Sequence, residues 1–176
     1  MRRPVERLRL DRLMQEIGRR ARGPGRIYLT GGATALLFGW RQSTVDVDLK
    51  LDPEPEGIFE AIAQLKDELE LNIELASPDQ FVPPVPGWRE RSRHILRCGE
   101  VDFYHFDLVS QCLAKLARGH DRDVDDVRAM LERELVAPQQ LLEGLEEIRG
   151  DLPRYPGVDA ESFALRVRDF VDRCHD

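Results

Sequence analysis

The chain has 176 residues, 41% of them hydrophobic and 34% charged, with a net charge of −7. That suits one ordinary soluble domain or a small core with a helical appendage. No apolar run approaches the ~20 residues that span a bilayer, and the N-terminus lacks the apolar stretch and cleavage site of a secretory signal. The expected location is therefore cytoplasmic, with no membrane partner. Cys98, Cys112 and Cys174 show no CxxC or zinc spacing and read as buried free thiols. His94, His105, His120 and His175 show no ligand spacing either.

In chain order, Val5, Leu8, Leu13, Ile17 and Ala21 recur at helical spacing and predict an amphipathic helix over 4–21. Residues 1–26 hold nine arginines against Glu6, Asp11 and Glu16, a basic strip within an acidic protein. A second basic cluster comprises Arg89, Arg91, Arg93 and Arg97. Either strip can meet phosphate or RNA, or can be plain solvated surface. Ile27–Leu29, Thr30-Gly31-Gly32 and Ala33–Phe38 read as strand, glycine turn and helix. Over 44–51 the residues alternate, with Val45, Val47, Leu49 and Leu51 on one face and Asp46 and Asp48 on the other.

A helix is predicted over 55–69 and a strand over Leu71, Ile73 and Leu75. Residues 77–88 are proline-rich and read as a connection. Strands follow near 94–97 and 100–106, turning at Cys98-Gly99. Helices are expected over about 108–118, 122–133, 138–149 and 159–174. The fold class is thus α+β: a small mixed β-sheet flanked by helices, then a helical C-terminal half. The expected division is a core over 1–107 and a helical region over 108–176.

Two features carry chemistry. Glycines at Gly31-Gly32 let backbone approach a ligand, and the helix start beyond them offers free N–H groups to phosphate. Asp46 and Asp48 lie on one strand face about 6–7 Å apart, at ~3.3 Å per residue. Such a pair suits Mg²⁺, which takes oxygen ligands alongside substrate phosphates. Taken singly, Gly-Gly is also an ordinary turn, and two strand acids are also ordinary surface charge.

Together, in LTGGATALLFGWRQSTVDVDLKL, they resemble the signature of the polymerase β-like nucleotidyltransferase superfamily. The stretch LAKLARGHDRDVDDVRAML is similar to the C-terminal signature of minimal nucleotidyltransferases related to abortive-infection toxins. The resemblance covers 27 to about 131. It implies Mg²⁺-dependent transfer of a nucleoside monophosphate from an NTP to an RNA or protein acceptor, with relatives often acting as toxins of toxin–antitoxin pairs.

By that resemblance Thr30, Gly31, Gly32, Arg41, Thr44 and Lys115 bind the nucleotide, and Lys115 faces the triphosphate. Asp123 or Asp126 acts as general base or orients the acceptor. The superfamily expects a third carboxylate on a later strand: Asp102 fits best, while Asp107 fits second and also suits a helix cap. Lys115, Arg118, Asp123 and Asp126 read equally as a salt-bridged helix surface. An RNA acceptor or an antitoxin protein is the partner this implies, and the alternative function is a catalytically inactive module of the same fold that binds a nucleotide or a partner protein.

Overall fold

The computed structural model describes residues 4–174, so Arg2, Arg3 and His175 of the sequence reading lie outside the described residues. It contains a five-stranded mixed sheet and, among the described residues, eight α-helices. Two compact units are formed, one from Met1–Ser77 with Ser92–Phe106, the other from Pro78–Arg91 with Asp107–Asp176.

The first unit holds helices α1 (Arg7–Arg20), α2 (Gly32–Phe38) and α3 (Ile58–Glu68), and strands β1 (Gly25–Thr30), β2 (Asp46–Leu51), β3 (Asn72–Glu74), β4 (Arg93–Cys98) and β5 (Val101–His105). The strand order is β3-β2-β1-β5-β4. β1 runs antiparallel to β2 and parallel to β5, and β2 runs parallel to β3. Helices cover the face that buries Ile27, Leu29, Val47, Leu49, Ile73 and Phe103, all between 0 and 1% exposed.

Two expectations are corrected here. Val5 lies outside α1 and pairs with Thr44 through an isolated bridge, with Val5 N–H donating to Thr44 O at 2.7 Å. Once α1 starts at Arg7, its buried stripe becomes Leu10, Leu13, Met14 and Ile17, and Leu8 faces solvent at 81% exposure. Val45 likewise precedes β2 and is exposed. Alternation holds only where the ladder holds.

The second unit is built around α5 (Leu108–Arg118), buried along Leu108–Leu116. Helices α6 (Asp121–Glu132), α7 (Pro138–Ile148) and α8 (Ala160–Arg173) pack on it. Arg166 of α8 donates to Leu116 O and Ala117 O at 2.8 and 2.7 Å, which satisfies carbonyls left open at a helix end. The proline-rich segment is a packed part of this unit, not a bare connection. It forms a 3₁₀ turn (Pro78–Gln80) and the short helix α4 (Trp88–Arg91). It buries Val82 and Val85, and Val85 N–H donates to Ser110 Oγ at 3.1 Å.

The thiols differ from the sequence reading too. Cys112 is buried, Cys98 is half-buried and Cys174 is exposed, all free. Burial pushes the Cys112 thiol well above its ordinary range.

Phe103 is fully buried under the sheet. Phe103→Ala is expected to cost about 3–5 kcal/mol, read as a fall in the denaturant midpoint with an unchanged slope.

Candidate functional site

β1 ends at Thr30, buried, and Gly31 follows with φ 60° before α2 begins at Gly32. The antiparallel register sets Thr30 opposite Asp48, so the glycine turn lies beside that aspartate. A Cβ on Gly31 would stand 3.1 Å from Asp48 Oδ2, and one on Gly32 would collide with Thr44 Oγ1 at 2.0 Å. Both positions need glycine, the first for its left-handed φ and both for space. Thr44 is buried and its hydroxyl donates to Asp46 O at 3.1 Å. Its role is to hold the approach to β2. Arg41 is half-buried on the loop between α2 and β2.

Asp46 and Asp48 alternate with the buried Val47 and share the opposite face of β2. Parallel pairing with β3 sets Asp46 against Asn72 and Asp48 against Glu74. Asn72 Nδ2 donates to Asp46 Oδ1 and, at 3.0 Å, to Glu74 Oε1. Three carboxylates thus sit on adjacent strands at one end of the sheet, with a neutral amide linking two of them. Glu74 was missed by sequence reasoning, although Ile73-Glu74-Leu75 carries the same apolar–acid–apolar signal that singled out Asp102. Among the described residues, no three His, Cys, Asp or Glu side chains are grouped tightly enough to cage a metal ion.

Asp102 does not join this group. It stands opposite Arg26 on β1, four residues before Thr30, which places it roughly 13 Å along the strand at ~3.3 Å per residue. There it contacts His94 Nε2 at 3.1 Å and Arg97 Nη1 at 3.6 Å. The parallel β1–β5 register puts Asp102 at the wrong end of the sheet.

Asp107, in the second unit, caps α5. Its carboxylate accepts from Ser110 N–H at 3.2 Å, from Ser110 Oγ at 2.7 Å, and from two nitrogens of Arg91 at 3.1 and 2.9 Å. Both oxygens are occupied.

The expected catalytic residues of the helical half also lie in the second unit, between α5 and α6. Lys115 Nζ is 2.7 Å from Asp126 Oδ2 and 3.5 Å from Asp123 Oδ1, and Arg118 Nη2 is 2.6 Å from Asp123 Oδ1. The Lys115 side chain is only 7% exposed. Its ammonium is enclosed by ion pairs, so it does not stand open to a triphosphate. Asp123 Oδ2 is buried without a hydrogen-bond partner. The ion pairs that the sequence also suggested do form, with Lys115, Asp123 and Asp126 buried and Arg118 partly exposed.

The basic strips are partly paired with acids. Arg7 pairs with Asp11, Arg19 with Glu16, Arg20 with Glu16 and Glu68, and Arg22 with Glu56 and Glu60. The second cluster divides, with Arg89 and Arg91 in one unit and Arg93 and Arg97 in the other.

A glycine turn set against an Asp-x-Asp strand, in a mixed sheet flanked by helices, is the framework of a nucleotidyltransferase. The chain belongs to the family described as "Nucleotidyltransferase of unknown function (DUF6036)", whose model matches residues 7–148. No curated protein and no solved structure matches it. No helix among the described residues is long and apolar enough to cross a membrane.

Two outcomes follow from the charges in these units. Burial, then Arg93 and Arg7, lowers the His105 pKa from 6.5 to about 4. The unfolded chain therefore binds this proton first, and stability is lost as pH falls from about 6.5 towards about 4. Urea melts across that window should show the slope, and His105→Gln should flatten it. In the second unit, Lys115→Met removes the cation 2.7 Å from the buried Asp126, while Arg118 still holds Asp123, and should cost about 3–5 kcal/mol. Lys115→Met with Asp126→Leu should cost less than Lys115→Met alone, as measured by a double-mutant cycle.

Proposed function

We propose that the chain transfers a nucleoside monophosphate from a nucleoside triphosphate to a hydroxyl acceptor, in the manner of the polymerase β-like minimal nucleotidyltransferases it resembles. The observation that carries this reading is the Asp46–Asp48 pair on one face of β2 beside the Gly31–Gly32 turn. The pair suits Mg²⁺, which commonly needs only one or two carboxylates when phosphates complete its shell. When bound, the ion neutralises phosphate charge and makes an acceptor hydroxyl more acidic.

The chain's own residues do the positioning. Asp46 and Asp48 hold the cation from the strand. Glu74, in register with Asp48, takes the part of the third carboxylate in place of Asp102. Asn72 fixes the orientation of Asp46 and Glu74 through its amide. The missing Cβ at Gly31 leaves room for a phosphate next to Asp48, and Thr30 and Thr44 keep the turn and strand in place. Arg41 balances charge on the departing pyrophosphate. In the transfer the acceptor oxygen bonds to the α-phosphorus, and the bond to the bridging oxygen breaks, which releases pyrophosphate with that electron pair. Asp123 and Asp126 are engaged by Arg118 and Lys115, which favours a positioning role for them over proton acceptance.

On the same reading the acceptor is an RNA 3′ end or a protein side chain, and the setting a cytoplasmic toxin–antitoxin pair. A second reading, a module that binds a nucleotide without transfer, draws on one observation: no three-ligand metal group exists among the described residues.

The test pairs calorimetric NTP binding, in Mg²⁺ and in EDTA, with transfer of α-labelled NTP to RNA and protein. Mg²⁺-dependent binding should vanish in the Asp46→Ala/Asp48→Ala variant, and Asp48→Asn should abolish transfer in a folded protein. Glu74→Gln should slow transfer about a hundredfold or more, while Asp102→Asn should leave it at the wild-type rate. Binding with no transfer to any acceptor selects the module. No binding of any NTP sinks both readings.

A further inference from the structure

The second unit contains a cleft of about 510 Å³ between the residues after the 3₁₀ turn, the end of α5 and the segment before α8. Phe81, Arg118, His120, Arg154, Tyr155 and Gly157 contribute to its wall. No carboxylate lines it, which is unusual in a chain of net charge −7. Two other clefts are mixed in sign. One, between α1 and the end of α3, includes Glu6, Glu68 and Glu70 with its arginines, and one beside α8 includes Asp169.

The cationic groups here are combined with flat apolar surface. The Arg118 guanidinium lies 5.2 Å from the centre of the Phe81 ring, and Asp123 holds it there from behind at 2.6 Å. Phe81 remains 39% exposed, a large ring that the fold leaves uncovered. Tyr155 is fixed by donation of its hydroxyl to Asp79 O at 3.0 Å. Arg154, 81% exposed, has an exposed partner, Asp151, at 3.4 Å. An ion pair of that kind is worth little and exchanges readily for a better anion. Aromatic rings that stack a base, with arginines that take its phosphate, are the elements of single-strand and nucleotide recognition. The volume falls within the range of small-molecule sites.

We propose that this cleft binds a phosphorylated nucleoside, either a free nucleotide or a residue at the end of a single-stranded nucleic acid. The base stacks on Phe81 and Tyr155, and Arg118 and Arg154 take the phosphate. The cleft is built from residues of the second unit and the Asp46–Asp48 pair belongs to the first, and the proposal stands whether or not that pair binds Mg²⁺.

The experiment measures equilibrium binding of a fluorescent ATP analogue and of an end-labelled single-stranded oligoadenylate to the full chain in EDTA. Wild type is compared with Phe81→Ala, Arg154→Glu and Gly157→Trp. A Cβ at Gly157, on the cleft wall, meets nothing within 4 Å, so the bulky side chain is added without a backbone clash, and thermal melts verify the fold of each variant. The expected result is saturable binding of at least one probe, weakened about tenfold in each variant, which is what the loss of one base stack costs. Binding of ATP alone identifies a free nucleotide as the ligand, and binding of the oligoadenylate identifies a strand end. Saturable binding of neither probe, or affinity unchanged in both Arg154→Glu and Gly157→Trp, overturns the proposal.

Discussion

The pairing of β1 with its two neighbours is the constraint on which the candidate site depends. β1 is the central strand, and its inward residues Ile27 and Leu29 are fully buried. A slip of one residue would turn these outward and reverse the face of every side chain after them. Burial therefore locks the register, and the register delivers Asp48 to Thr30 and so to the glycine turn. The same parallel register with β5 carries Asp102 away from that end. Hydrophobic burial on one face thus decides which acids meet on the other.

The two units handle buried and half-buried charge in opposite ways. In the second, Lys115 and Arg118 compensate Asp123 and Asp126 at contact distance, which stabilises helix pairing only while all four remain. In the first, Asp46, Asp48 and Glu74 gather on neighbouring strands, and the amide of Asn72 links Asp46 with Glu74. An amide can orient two carboxylates but cannot neutralise them.

The glycine turn and the Asp-x-Asp strand were legible in the sequence because both are local signals, one a backbone requirement and the other a period of two. The third carboxylate was not. Apolar–acid–apolar triplets occur at Glu74, Asp102 and Asp107, and only strand order and register distinguish them. Ile73-Glu74-Leu75 looked like any short edge strand until its pairing with β2 was known. The partners of the basic strip were not legible for a related reason. Glu56, Glu60 and Glu68, which pair with Arg22 and Arg20, are roughly 34 to 48 residues away in sequence. The proline-rich segment looked like a linker because prolines remove backbone donors, yet Val82 and Val85 give it apolar anchors.

The match to the family reaches from Arg7 to Ile148 and so takes in α5, α6 and α7 along with the whole sheet. The matched span therefore includes most of the helical half as well as the sheet. Its central helix is buried on all sides from Leu108 to Leu116, an arrangement that requires partners around it. Asp107, held by Arg91 and by the start of α5, ties the proline-rich segment to that helix. Arg166, beyond the matched region, closes its other end. A helix capped by charge at both ends and locked to α6 by Lys115 has little freedom to rearrange. Its buried charges are held at contact distance, and they serve rigidity.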